Sequence, residues 1–119
     1  MNLTQEQHGN VVVVTFHGDV LDARNVKEFR QAMDPILEQH DTMILDMSEI
    51  TFVDSSGLGS LLDCLRKLTT DRDGRFDLCS LTRPVRTLFE MVRIHRIFEI
   101  HNTREDALQR RQKKGADTE

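Results

Sequence analysis

The run Phe52-Val53-Asp54-Ser55-Ser56-Gly57-Leu58-Gly59-Ser60-Leu61 sets two adjacent hydroxyls and two glycines between an apolar strand end and an apolar-periodic helix. Upstream, Met43-Ile44-Leu45-Asp46-Met47 reads as a short strand, and downstream Leu58, Leu61, Leu62, Leu65 and Leu68 recur at helical spacing. Strand, loop and helix in this order put the serines at a strand end of an α/β sheet, where ligands of open sheets gather. Asp54 or Ser55 can cap the helix by accepting from a first-turn amide, while Gly57 and Gly59 lack Cβ atoms and permit close backbone approach. A capping role alone would also explain Asp-Ser-Ser-Gly. A phosphate on Ser55 would meet free amides and the positive helix end, so the fold should carry about −1.5 to −2 of extra charge there. A partner matched to a neutral surface around Leu58 would then face a hydrated dianion that is costly to bury unpaired.

Outward from this run, the pattern predicts the order β-β-α-β-α-β-α-β-α in one sheet-and-helix layer, a small mixed sheet of four to five strands with about four helices. Leu3 to Gln7 alternates, Gly9-Asn10 marks a turn, and Val11 to Phe16 is continuously apolar as a buried central strand would be. Val26, Phe29, Met33, Ile36 and Leu37 mark the first helix, with Asp22 or Asn25 as cap; Pro35 inside this pattern predicts a kink or an early stop near Asp34, or a second short helical piece. Phe76 to Leu81 reads as a strand, followed by a helix with Pro84 early in it and Thr82 or Arg83 as cap. Ile97 to Ile100 reads as an edge strand, and Thr103 with Asp106 reads as the capped start of a last helix. The basic cluster Arg110-Arg111-Gln112-Lys113-Lys114 reads as a solvated helix end, with residues 113–119 frayed.

Composition limits the function classes. The 119 residues, 38% hydrophobic and 30% charged, make one domain spanning 1–119 with a modest core. Apolar runs are too short to span a bilayer and no signal-peptide pattern opens the chain, so a cytoplasmic protein without membrane contact is expected. A net charge of −4 with Phe as the only aromatic type offers nucleic acid neither a basic field nor a stacking platform. Cys64 and Cys79 lie in apolar segments without metal-ligand spacing and are expected to be buried free thiols. No catalytic residues, cofactor or metal are expected. Neither a Gly-x-Ser-x-Gly elbow nor a Ser-x-x-Lys pair surrounds Ser55 or Ser56, and none of His8, His17, His40, His95 and His101 stands beside an evident orienting acid. Gly57-Leu58-Gly59 falls short of a dinucleotide fingerprint, and caps and turns account for Asp22, Asp46 and Asp54 as well as a metal would.

Ile44 to Met47 followed by Phe52 to Gly59 resembles the signature of STAS-domain anti-sigma factor antagonists. The resemblance extends to Val11–Phe16 with Gly18-Asp19-Val20-Leu21-Asp22, and to Phe76–Ser80 with Val85–Met91, covering nearly all of residues 3–108. It implies a non-enzymatic switch protein. Its phosphoacceptor would be Ser55, modified by a serine-kinase anti-sigma factor of the ATP-binding GHKL type and restored by a PP2C-type phosphatase. ATP and magnesium would belong to the kinase. The unphosphorylated protein would bind the kinase, so that its other client is released, through Asp54, Ser56, Gly57, Leu58 and an acidic loop whose contact is Asp22 or, one register away, Asp19. The same resemblance admits a STAS accessory subunit of a transporter ATPase, a stressosome, or a secretion or biofilm switch without a sigma factor.

Overall fold

The computed structural model describes residues 1–116. Strands β1 (Leu3–His8) and β2 (Val11–Phe16) form the expected hairpin, with Gly9 at the turn in the left-handed region, φ +63°. There follow β3 (Val20–Leu21), α1 (Val26–Gln39), β4 (Thr42–Asp46), β5 (Phe52–Val53), α2 (Ser55–Thr69), β6 (Arg75–Cys79), α3 (Arg83–Met91), a 3-10 turn over Ile94–Arg96, β7 (Glu99–His101) and α4 (Arg104–Ala116). The main sheet is ordered β1-β2-β4-β6-β7, antiparallel only between β1 and β2, while β3 and β5 make a separate parallel pair.

Helices cover both faces of the main sheet, which corrects the expected single layer. Successive strand residues point to opposite faces. Val12, Val14 and Phe16 join the core built by Phe29 and Met33 of α1, Leu61 and Leu68 of α2, and Val85 and Phe89 of α3. Val11, Val13 and Ile44 face the other way, onto Ala107 and Leu108 of α4. That double burial is why β2 is apolar at nearly every position. Of six phenylalanines five are buried, and the exception is Phe52.

Pro35 neither stops α1 nor starts a second piece; the helix runs unbroken to Gln39. An internal proline costs about 3 kcal/mol, yet burying Ile36 and Leu37 beyond it contributes about 1.5–3 kcal/mol each. His40 then closes the end by donating from Nδ1 to the Ile36 carbonyl at 2.9 Å. The expected strand over Ile97–Ile100 also shifts, because Phe98 is drawn into the core against Phe76 and Phe89, leaving β7 at Glu99–His101. Thr82 does not cap α3; its hydroxyl donates to the Ile50 carbonyl at 2.6 Å. Thr103 does cap α4, accepting from the Asp106 amide at 3.0 Å.

The polar floor beneath α4 corrects the reading of its basic cluster as a solvated end at Arg111, while Arg110 and Gln112 are exposed. Arg111 is buried and donates to Asp77 from Nε at 2.6 Å and Nη2 at 3.0 Å, and His101 Nε2 donates to the same carboxylate at 2.9 Å. Arg104 donates to Asp46 at 3.0 Å, to Glu6 at 2.8 Å and to the Thr15 hydroxyl at 2.5 Å. The helix continues to Ala116, and the end of the segment expected to fray, residues 117–119, lies outside the described residues.

Both cysteines are buried free thiols, as expected. Burial pushes the Cys64 thiol up to about 12 and the Cys79 thiol up to about 11. Native protein at about pH 8 should therefore leave an aromatic disulfide reagent unreacted, since the thiolate is the nucleophile. Both thiols should react once denaturant is added, and rapid colour without denaturant would contradict the burial.

Candidate functional site

The parallel β3–β5 pair, which the sequence reading did not anticipate, builds the site. It brings the acidic loop Gly18–Asp22 beside the serine loop, with Val20 opposite Phe52 and Leu21 opposite Val53. The Asp19 carbonyl accepts from the amides of Thr51 and Phe52 at 2.8 and 3.2 Å and from the Thr51 hydroxyl at 3.1 Å. Asp54 then joins the two loops: one carboxylate oxygen accepts from the Gly57 amide at 2.9 Å as the N-cap of α2, and the other accepts from the Ala23 amide at 3.0 Å.

This geometry leaves Ser55 exposed as the first residue of α2, Ser56 half-buried behind it and Leu58 half-buried on the next part of the turn. The first turn carries no acidic side chain, so the Asp54 cap is the one carboxylate at the positive end of α2 beside Ser55. Gly57 is buried and pressed against Leu21 and Val53.

A family model described as STAS domain matches residues 2–107. The chain belongs to the STAS domain family. An anti-sigma F factor antagonist of Paenibacillus polymyxa is 29% identical over 110 residues, covering 91% of this chain and 92% of that protein. SpoIIAA in its unphosphorylated form is 25% identical with a TM-score of 0.74, covering 93% of this chain and 96% of that one. The Bacillus SpoIIAA in its phosphorylated form is 26% identical with a TM-score of 0.68, covering 92% and 98%.

Within this STAS domain the two acids of the first loop differ. Asp22 is buried and engaged internally, accepting from the Arg24 amide at 3.0 Å and from the Arg24 guanidinium at 2.9 and 3.1 Å. Those bonds from Arg24 hold its carboxyl below the usual carboxylate range. Asp22 thus closes a turn and is not a side-chain cap of α1, which starts only at Val26. Asn25 stands at the N-cap position but spends its side chain on the loop, accepting from the Asp22 amide and donating to the Val20 carbonyl, both at 2.9 Å. Asp19 is exposed, and its carboxylate has no hydrogen-bond partner among the described residues.

Two further residues of this face, Phe52 and Arg24, escaped the sequence reading. Phe52 stands 52% exposed on β5, and the only signal was its alternation with the inward Val53. Asp46 does not join Asp22 and Asp54; it faces α4 and binds Arg104. His101, oriented by Asp77, lies under α4 on the sheet face opposite α2, and His17 donates to Glu49 at 2.8 Å in the loop region beyond β2. Among the described residues no three His, Cys, Asp or Glu side chains cluster as metal ligands, and no helix is long and apolar enough to cross a membrane.

Proposed function

We propose that this STAS domain is an anti-sigma factor antagonist that acts by partner switching through Ser55. The observation that carries this reading is an exposed hydroxyl on the first residue of α2, locked by Asp54 to the acidic loop. In the unphosphorylated state the neutral helix start, Leu58 and Phe52 offer a surface that a GHKL-type serine kinase covers, while Asp19 pairs with one of its cations. Asp19 is the contact acid because its carboxylate is exposed, whereas the Asp22 carboxylate is already held by Arg24. Asp54, Ser56 and Gly57 shape and position the acceptor. Phosphate on Ser55 leaves the fold intact and makes the covered surface too hydrated to bury, which ejects the kinase. A PP2C-type phosphatase resets the switch. That SpoIIAA is described in both phosphorylated and unphosphorylated forms supports a modifiable site in a relative of this size.

Ser55→Ala is expected to bind the kinase constitutively and to take no phosphate in an intact-mass assay with kinase, ATP and magnesium. Ser56→Ala should still take one phosphate. Ser55→Asp should bind at least tenfold more weakly than wild type, about 1.4 kcal/mol. Equal affinity of the alanine and aspartate variants would sink the switch.

A further inference from the structure

The structure assigns a second protein-docking surface, unconnected with Ser55, to the stretch from α3 through the 3-10 turn: it fits an acidic partner segment with an apolar face. Elsewhere most of the described basic side chains are paired, Lys27 and Arg75 being the exceptions. Arg24, Arg30, Arg66, Lys67, Arg72, Arg104, Arg110 and Arg111 all meet a carboxylate. Arg83, Arg86, Arg93 and Arg96 meet none among the described residues, and against the single acid Glu90 they leave residues 83–96 at +3 in a chain of −4. Apolar side chains gather in the same place. Of the five large ones that stand exposed, Met91, Val92 and Ile97 are here, at 76, 47 and 56%.

Arg93 adds an independent sign. It ends α3 with φ +64°, a position where glycine is the usual residue, so an arginine there carries a backbone cost that its packing does not explain. Beside it, Leu81, Phe89, Phe98 and Ile100 line a groove together with Arg86 and His95 and two acids, Glu90 and Glu99, of which Glu99 is already held by Arg110 at 3.3 Å. An apolar side chain can enter this groove while carboxylates on either side of it reach the arginines. Arginine and methionine are enriched in protein interfaces and lysine is depleted, and this surface has four arginines, an exposed Met91 and no lysine. That composition favours a protein segment over an anionic membrane. Because β6 and β7 are parallel, α3 carries the chain from the strand end near Ser55 to the far end of the sheet, where Met91–Ile97 lie. The Met91–Ile97 part of the surface can therefore be occupied together with the Ser55 face, while Arg83 lies at the Ser55 end.

The test uses the full chain and a synthetic helical peptide with leucines at i, i+3 and i+7 flanked by glutamates, beside the same peptide with glutamines. The acidic peptide should shift backbone amide resonances in and around residues 86–98, and its affinity should fall with salt. The double variant Arg93→Gln/Arg96→Gln should bind at least tenfold more weakly with an unchanged melting temperature. Arg93→Gly should melt higher than wild type and still bind more weakly, an outcome that a purely structural role for Arg93 does not produce. Equal binding of the glutamine peptide, undiminished binding by the double variant, or shifts mapping elsewhere would overturn the assignment. So would arginine-dependent binding to phosphatidylserine vesicles without peptide binding, or arginine-dependent self-association, which would give the surface to a membrane or to a second copy.

Discussion

Asp77→Ala is expected to cost about 3–5 kcal/mol of stability, the largest loss from any single polar side chain in this fold. The carboxylate is 2% exposed and receives three bonds, two from Arg111 and one from His101. Without it a guanidinium with 4% side-chain exposure is left with Glu99 at 3.8 Å as its remaining acid among the described residues. Leaving one partner of a buried pair uncompensated costs far more than the pair contributes. The double variant Asp77→Leu/Arg111→Met, which removes both charges and restores volume, should therefore recover most of that loss, the remainder being the His101 Nε2 left without its acceptor. Urea unfolding of the two variants checks this, and α4 amides should exchange faster with solvent in the single variant only. A loss below about 1 kcal/mol for Asp77→Ala would mean that water solvates the floor beneath α4.

The two glycines after the serines should respond in opposite senses. A Cβ on Gly57 would lie 2.4 Å from the Leu21 carbonyl oxygen and 2.8 Å from Val53 Cγ1. Backbone cannot yield as a side-chain tip can, so Gly57→Ala should push the start of α2 off β3 and β5 and cost about 2–3 kcal/mol, outweighing the roughly 1 kcal/mol that alanine gains in helix propensity. Kinase binding should fall with it, because Ser55 moves. A Cβ on Gly59 meets only Arg30 Nη2 at 3.9 Å, an ordinary contact. Gly59→Ala should stabilise by up to about 1 kcal/mol. Thermal melts of the two variants decide the matter, and similar shifts of one sign would show that α2 does not press on β3.

The legible parts of the chain were those governed by period and local chemistry. Alternation and helical spacing placed the hairpin, four helices and five main strands, and Asp54 was readable as a cap because the residues it serves follow directly in sequence. What escaped reading depends on distant partners. The β3–β5 pair has two residues per strand, too few to show a period, and joins segments some thirty residues apart. Pro35 looked like a break because its cost is local while the burial that offsets it is tertiary. Arg111 looked like a solvated residue because nothing near it in the sequence reveals the Asp77 carboxylate. At the site, Ser55 was read from its motif, but the division between an exposed Asp19 and an engaged Asp22 came from Arg24 and Asn25, whose side chains turn back onto the loop.

Asp54 also bears on how quickly a partner can be captured. Since its two oxygens hold the acidic loop and the serine loop at fixed separation, a protein that docks on both meets a surface already in its bound shape. Association then needs only orientation, at rates on the order of 10⁵–10⁷ M⁻¹s⁻¹ and higher with charge steering through Asp19. Under that regime a chemical change at Ser55 acts on the lifetime of the complex more than on its formation. Freeing the loops, as Asp54→Ala would, slows capture itself.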